Sequence, residues 1–269
     1  MLKTVDLSYT YEDGTRALDN INFDSSKGRV SAIIGANGSG KSTFFAAVMG
    51  LIKPQTGKIF FNNTELKYGK KDLIDYRTKI NLVFQNPDSQ IFFSDIYDDL
   101  AFPLRNLGYA EEEIKRRIET AIRQTQAEEF CTKPIHFLSY GQKKRVAIAG
   151  ILVLDVDVLL LDEPTSGLDP ASTVQIKNII LELRKTKNIV ISSHDMDLIY
   201  DIADYIYIFN KGKISAEGGK EVFLNTEVLQ KANLQEPWMV KINKKLGGRY
   251  GIPNFECESE FNDYKLNGG

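Results

Sequence analysis

The sequence predicts an α/β domain built on a mainly parallel sheet and carrying an all-helical insertion. Two observations carry the prediction. Short apolar runs, β-branched or leucine-rich, recur at Val30 to Ile34, Ile80 to Phe84, Val158 to Leu161 and Ile189 to Ser193, as strands buried on both faces should. From Asp88 to about Leu138 no strand pattern occurs, which places a helical insertion at about residues 88–150.

Taken in order, the first run leads into glycine-rich GANGSGKS and then into KSTFFAAVMG, which opens a helix. Glu111 to Ala127 sets Ile114, Ile118, Ala121 and Ile122 at helical spacing, with Glu112/Arg116 and Glu113/Arg117 expected to pair on the wet side. Ser172 to Arg184 gives a second such stripe with Ile176, Ile179, Ile180 and Leu183. Tyr205 to Phe209 and Lys213 to Ala216 read as a hairpin turning at Lys211-Gly212. One domain is expected over residues 1–220 and an extension over 221–269. The extension holds an amphipathic piece, EVFLNTEVLQKANL, then Pro237, Trp238 and a polar end. Its plainer reading is a helix packed on the domain with a fraying terminus; the other is a regulatory or dimerising role.

Composition removes several classes. At 269 residues, 42% hydrophobic and 26% charged, the chain has material for a large core. A formal charge of −2 and a pI near 5.9 give no basic surface for nucleic acid, so none is expected as a partner. Cys131 and Cys257 fit neither a disulfide framework nor a zinc site, which points to a reducing compartment. MLKTVDLSYTYEDG turns polar within a few residues, unlike a signal peptide, and no apolar run is long enough to span a bilayer. Any link to a membrane is therefore expected to run through another protein. Two histidines, His136 and His194, offer no cluster for holding a transition metal.

GANGSGKS matches the phosphate-binding pattern G-x-x-x-x-G-K-[ST] between a strand and a helix. Gly35, Asn37, Gly38, Ser39 and Gly40 would curl the backbone around phosphates at the helix start, with Thr43 beside them. Lys41 would reach the β and γ phosphates of a nucleotide such as ATP, and the Ser42 hydroxyl would ligate Mg²⁺. VLLLDEP then supplies a second metal partner, Asp162, at a strand's carboxyl end, and beside it Glu163 as the base that accepts the attacking water's proton. Standing alone, Asp-Glu-Pro would be an ordinary strand end. His194 follows the strand IVISS and Gln85 follows INLVF, so both are expected at the same sheet edge. His194 would contact the γ-phosphate and hold the water; Gln85 would have access to Mg²⁺ and water.

Leu138 to Gln142 (LSYGQ), followed by KKRVAIAG, resembles the signature motif of ATP-binding cassette proteins, and SGLD at 166–169 resembles their D-loop. The resemblance covers about residues 2–220 and departs at Tyr140, where the commonest signature has glycine. It implies a P-loop NTPase of ABC-ATPase type, with an N-terminal antiparallel β part added to the parallel sheet and helical insertion. It also implies a dimer of ATPase subunits, homodimeric or with a sibling, in which Ser139, Gly141 and Gln142 face the partner's ATP, while Asp169 orients groups across the interface. Tyr11 would stack on adenine, with Tyr9 turned elsewhere by strand alternation. As a plain helix start, Ser139 would be only an N-cap, though the basic first turn would then oppose the helix dipole.

Within that family, QNPDSQIF together with LSYGQKKRVAIAG resembles the ATPases of energy-coupling-factor importers, especially the CbiO type, which serves cobalt or nickel uptake; close relatives serve vitamins. This implies a peripheral place on the cytoplasmic face of the membrane, docked to integral membrane subunits through the Gln85–Phe102 region. Phe92 and Phe93 would grip the membrane partner's coupling helix and Asp95, Asp98 and Asp99 would meet its basic residues; alternatively the rings only pack the insertion. The rival class is a soluble cassette ATPase such as an iron–sulfur assembly ATPase. Repair cassettes would need a coiled-coil insertion that is missing here, and translation cassettes carry two copies per chain.

Overall fold

The computed structural model describes residues 1–248 and 252–264. Its elements run β1 (Leu2–Thr10), β2 (Arg16–Asp24), β3 (Val30–Ile34), α1 (Lys41–Val48), β4 (Thr56–Phe61), β5 (Thr64–Glu65), α2 (Lys70–Arg77) and β6 (Ile80–Val83). Three helices without an intervening strand follow, α3 (Ile96–Asn106), α4 (Glu111–Gln124) and α5 (Tyr140–Leu152). Then come β7 (Val158–Asp162), α6 (Pro170–Leu183), β8 (Asn188–Ser193), α7 (Met196–Ile202), β9 (Tyr205–Asn210) and β10 (Lys213–Gly218), and finally α8 (Thr226–Lys231), α9 (Trp238–Leu246) and α10 (Glu258–Asp263).

The large sheet has the order β10-β9-β3-β8-β7-β6 and is parallel except for the β9–β10 hairpin. The central runs are mostly apolar because both faces are covered, with Ser31, Ser192 and Ser193 as buried exceptions. Ile34, Leu159, Leu161, Ile189 and Ile191 pack toward the helices α3 to α7, whereas Ile33, Leu160 and Val190 pack toward α1 and the small sheet. That small sheet, β2-β1-β4-β5, is antiparallel and forms the N-terminal β part.

α4 buries Ile114, Ile118, Ala121 and Ile122 as its spacing predicts. One of its two expected surface pairs does not form. Arg117 bonds Glu113, but Arg116 also bonds Glu113, three residues back at 2.6 Å, rather than Glu112, because a single carboxylate can accept both guanidinium groups.

The C-terminal stretch adds several short elements rather than one helix. Its amphipathic piece breaks at Asn225, whose side chain accepts from Val228 N–H and starts α8. Phe223, Leu229, Met239, Val240 and Phe255 join the same apolar cluster as the sheet. Trp238 N–H donates to the Asp197 carboxylate at 2.7 Å, tying α9 to α7. The polar end expected to fray lies, from residue 265 on, outside the described residues. Among the described residues no helix is long and apolar enough to cross a membrane.

Candidate active site

The carboxyl ends of β3, β6, β7 and β8 meet at one edge, so Gly35, Gln85, Asp162/Glu163 and His194 line one cavity of 1160 Å³. Backbone shape, rather than side chains, makes its floor. A Cβ on Gly35 would sit 2.4 Å from the Phe209 carbonyl and 2.6 Å from Ser39 Oγ, and Gly40, at φ +109°, would place one 2.5 Å from the Ala17 carbonyl. Gly40 starts α1 without any side-chain cap, which leaves the first N–H groups of the helix for a ligand. Ser39 Oγ is buried and without a partner, an orphan donor suited to a phosphate oxygen. Lys41 is buried and folds back on the loop, its Nζ donating to the Gly35 carbonyl at 2.7 Å and the Ala36 carbonyl at 3.3 Å. Burial pushes its ammonium below the ordinary value, against the pull of the Glu163 and Asp162 carboxylates.

Ser42 Oγ lies 3.3 Å from Asp162 Oδ2, and Ser192 Oγ donates to Asp162 Oδ1. A hydroxyl and a carboxylate are hard oxygen donors, too few to cage a cation alone but fitted to Mg²⁺ that takes its other ligands from phosphates and water. Among the described residues there is no cluster of three or more His, Cys, Asp or Glu that could hold a metal ion.

Glu163 carries a constrained backbone at the site. Its φ is +46°, a left-handed conformation that costs a non-glycine residue about 1–2 kcal/mol. Its N–H donates to both the Ser192 carbonyl and Ser192 Oγ at 3.1 Å. Its Oε2 accepts from His194 N–H at 3.2 Å and lies 2.7 Å from His194 Nδ1. The Glu163 side chain is 8% exposed and that of His194 64%, so the carboxylate is inside and the imidazole faces the opening. Gln85 points its side-chain amide nitrogen at Ser166 Oγ, 3.4 Å away, while its main-chain carbonyl accepts from Lys144 Nζ and, at 3.3 Å, from the Tyr140 hydroxyl.

Tyr11 stands at the other end of the cavity, hydrogen-bonded to Thr43 Oγ1 at 3.0 Å and edge-on to Tyr9 with ring centroids 5.0 Å apart. Asn37 and Gly38 line the same space.

Ser139, Gly141, Gln142 and Asp169 do not line this cavity. Ser139 and Gln142 bond each other's backbone N–H in a capping box that opens α5. Gly141 lets α5 approach α6: a Cβ there would meet Ser172 Oγ at 2.7 Å. Asp169 caps α6 through Ser172 N–H and Oγ, and those two bonds hold its carboxyl below the usual range.

The acidic residues of the Gln85–Phe102 region also have internal duties. Asp99 accepts from the N–H groups of Phe92 and Phe93, Asp95 caps α3, and Asp98 pairs with Arg105. Of the rings, Phe92 is 81% exposed, while Phe93 leans on Phe102 with centroids 5.3 Å apart.

Several residues at the site escape a reading of motifs alone. Ser192 is the second-last residue of an apolar strand, and the small polar pair in IVISSH is its only trace. Lys144 falls on the buried stripe of α5 with Ile148 and Ile151, where a charged residue is itself a signal. Asn233, Gln235, Glu236 and Lys241 also reach the cavity wall from the C-terminal stretch.

A glycine-rich phosphate cradle, an Asp-Glu pair and a histidine, held at the carboxyl edge of a parallel sheet, define a nucleoside-triphosphate hydrolase of the P-loop class. A family profile described as ABC transporter matches residues 18–166. The chain is 46% identical to the cobalt import ATP-binding protein CbiO of Salmonella paratyphi A, with 97% of this chain and 95% of the relative covered. It is 41% identical to the energy-coupling factor transporter ATP-binding protein EcfA of Methanococcus maripaludis, with 98% of each covered. The solved structure of cbiO1 from Clostridium perfringens, part of the ABC transporter complex cbiONQ, superposes with a TM-score of 0.79 at 38% identity, covering 91% of this chain and 95% of that one. A dimeric ATP-binding cassette, MJ0796, bound to ADP and Pi, gives a TM-score of 0.73 at 28% identity, covering 82% and 99%. The chain belongs to the ABC transporter family, as an ATP-binding subunit of the CbiO and energy-coupling factor type. Like the other cassettes of that family, it is an ATPase.

Proposed function

We propose that this chain hydrolyses ATP to energise an energy-coupling-factor importer and that the cargo is cobalt ion. The observation that carries the reading is the near-full-length similarity, C-terminal stretch included, to a relative named for cobalt import. A second reading, nickel or a vitamin, is favoured by relatives named for the energy-coupling factor alone. A soluble assembly ATPase finds no support among these relatives.

In this scheme Lys41, the loop N–H groups and Ser39 bind the phosphates, and Tyr11 stacks on the base. Mg²⁺, held by Ser42 and Asp162 with Gln85 nearby, would neutralise charge on the phosphate oxygens. Glu163 accepts a proton from water, and His194, bonded to it, faces the γ-phosphate. Ser139, Gly141, Gln142 and Asp169 serve the partner subunit's nucleotide in the ATP-closed dimer, whether homodimer or sibling pair. ATP binding closes the pair and hydrolysis reopens it, on the cytoplasmic face of the membrane.

The membrane partner docks on the Gln85–Phe102 segment. Because Asp99 pins the backbone of residues 92 and 93, the Phe92 ring is presented outward at 81% exposure, ready to fill a partner's pocket. Phe92→Ala is expected to weaken the complex by about 2 kcal/mol, roughly thirtyfold, while ATP affinity is unchanged. Titration of the isolated membrane subunits measures this, and joint loss of both properties would mark the ring as core. Purification of the tagged chain from its native membranes tests the larger reading. An integral membrane protein should accompany it, and vesicles of that complex should take up radiolabelled cobalt on ATP addition. Persistent absence of a membrane partner sinks the importer; uptake of a vitamin in place of cobalt sinks the cargo.

A further inference from the structure

Tyr140 and Lys144 stand one turn apart on α5, so they share the face of the helix that Ser139 opens. Lys144 is fully buried, and an ammonium leaves water only where its protons find acceptors. The acceptors are two main-chain carbonyls on different strands' ends: that of Gln85 after β6, and that of Glu163 after β7 at 3.2 Å. The Tyr140 hydroxyl donates to the same Gln85 carbonyl at 3.3 Å, and its ring centre lies 5.8 Å from Lys144 Nζ. That ring also closes on the turn beyond Glu163, since a Cβ on Gly167 would lie 3.3 Å from Tyr140 Cε1.

Glu163 needs support from this side. Its carbonyl, at a residue with left-handed backbone, accepts from Ser166 N–H at 3.1 Å and from Lys144. The opposite side is held by Ser192. A shift of α5 along or about its axis therefore pulls directly on the peptide that aims the Glu163 carboxylate, and on the peptide that carries Gln85.

We propose that Tyr140 and Lys144 are positioning residues for ATP hydrolysis: they fasten the start of the signature helix to the backbones of Gln85 and Glu163, so that a nucleotide engaged by Ser139 and Gly141 sets the hydrolytic edge facing the other nucleotide. The proposal rests on the dimer reading given above, in which the signature of one chain serves the site of its partner. It gives the tyrosine at position 140 a task that glycine, the residue of the commoner signature, has no side chain to perform.

The test uses the full chain. ATP turnover, and pairing of the Glu163→Gln chain on ATP addition, are measured first; absence of either sinks the dimer reading and the proposal with it. With both present, Lys144→Met keeps the stem and removes the donor. It is expected to lower kcat about 10- to 100-fold with ATP affinity kept within about twofold. The Hill coefficient for ATP should fall toward about 1 as the two sites lose their link. Tyr140→Phe removes a single hydroxyl at a half-open position and should lower kcat about two- to tenfold with the same loss of cooperativity. Should the methionine variant not fold, the phenylalanine variant decides alone. Unchanged kcat and cooperativity in a chain that still pairs overturns the proposal, and so does a parallel loss of kcat and ATP affinity, which would mark a structural role.

Discussion

Exchanging Glu163 for glutamine lowers ATP turnover by roughly 10² to 10⁴-fold, the range a lost general base commands, while ATP remains bound. The exchange is nearly isosteric at a side chain only 8% exposed, so packing is kept. The amide still accepts a bond from His194, so the left-handed turn at φ +46° and its Ser192 contacts should persist. What disappears is basicity alone. In the proposed scheme hydrolysis separates the subunits, so the variant should accumulate as an ATP-loaded dimer. Single-turnover kinetics, with ATP binding followed separately, checks the expectation; equal rates in both chains rule Glu163 out as the base.

Exchanging Lys41 for methionine acts on binding instead. The ammonium is buried, pushed below its ordinary value by desolvation, and bonded for now to the loop's own carbonyls. A phosphate is a far better acceptor than those carbonyls, and in a dry cradle the charge-assisted bond is strong. Truncating one partner of such a pair costs about 2–5 kcal/mol, which is roughly thirty- to several-thousand-fold in ATP affinity. Methionine retains the apolar stem against the core, so the melting temperature of the nucleotide-free chain should change little. Calorimetric ATP titration measures the effect, and an affinity within threefold of the parent would remove Lys41 from the phosphate site.

The parts of the molecule that were legible from sequence are those where one physical demand dominates. β3, β7 and β8 are buried on both faces, so their runs are predominantly apolar letters, and the proposed chemistry lies at their carboxyl ends. β1 and β2 escape direct reading and follow only from the family resemblance. Register shifts between Thr4, Leu7, Tyr9 and Thr10, with Asp6 and Asn20 at positive φ, interrupt the two-residue alternation that would betray a half-buried strand. The C-terminal helices α8, α9 and α10 are 6, 9 and 6 residues long, shorter than the window over which a 3.6-residue period is read. At the site, the helical stripe of α5 flags Lys144 as an unusual charge, but its burial under two carbonyls depends on where β6 and β7 end. The carboxylates at 95, 98 and 99 look like a charged rim, and only the fold shows them turned to backbone N–H groups and Arg105.

The left-handed residue at the end of β7 sets stability and activity against each other within a single codon. Asp162 finishes an extended strand, and the next residue must reverse the sense of its backbone twist. Glycine or asparagine makes that reversal with little strain, glutamate does not. A library randomised at position 163 and screened only for thermal persistence should drift toward those small residues, whereas one screened for nucleotide consumption should return to glutamate. With Glu163 as the proposed base, the position exchanges some scaffold stability for chemistry.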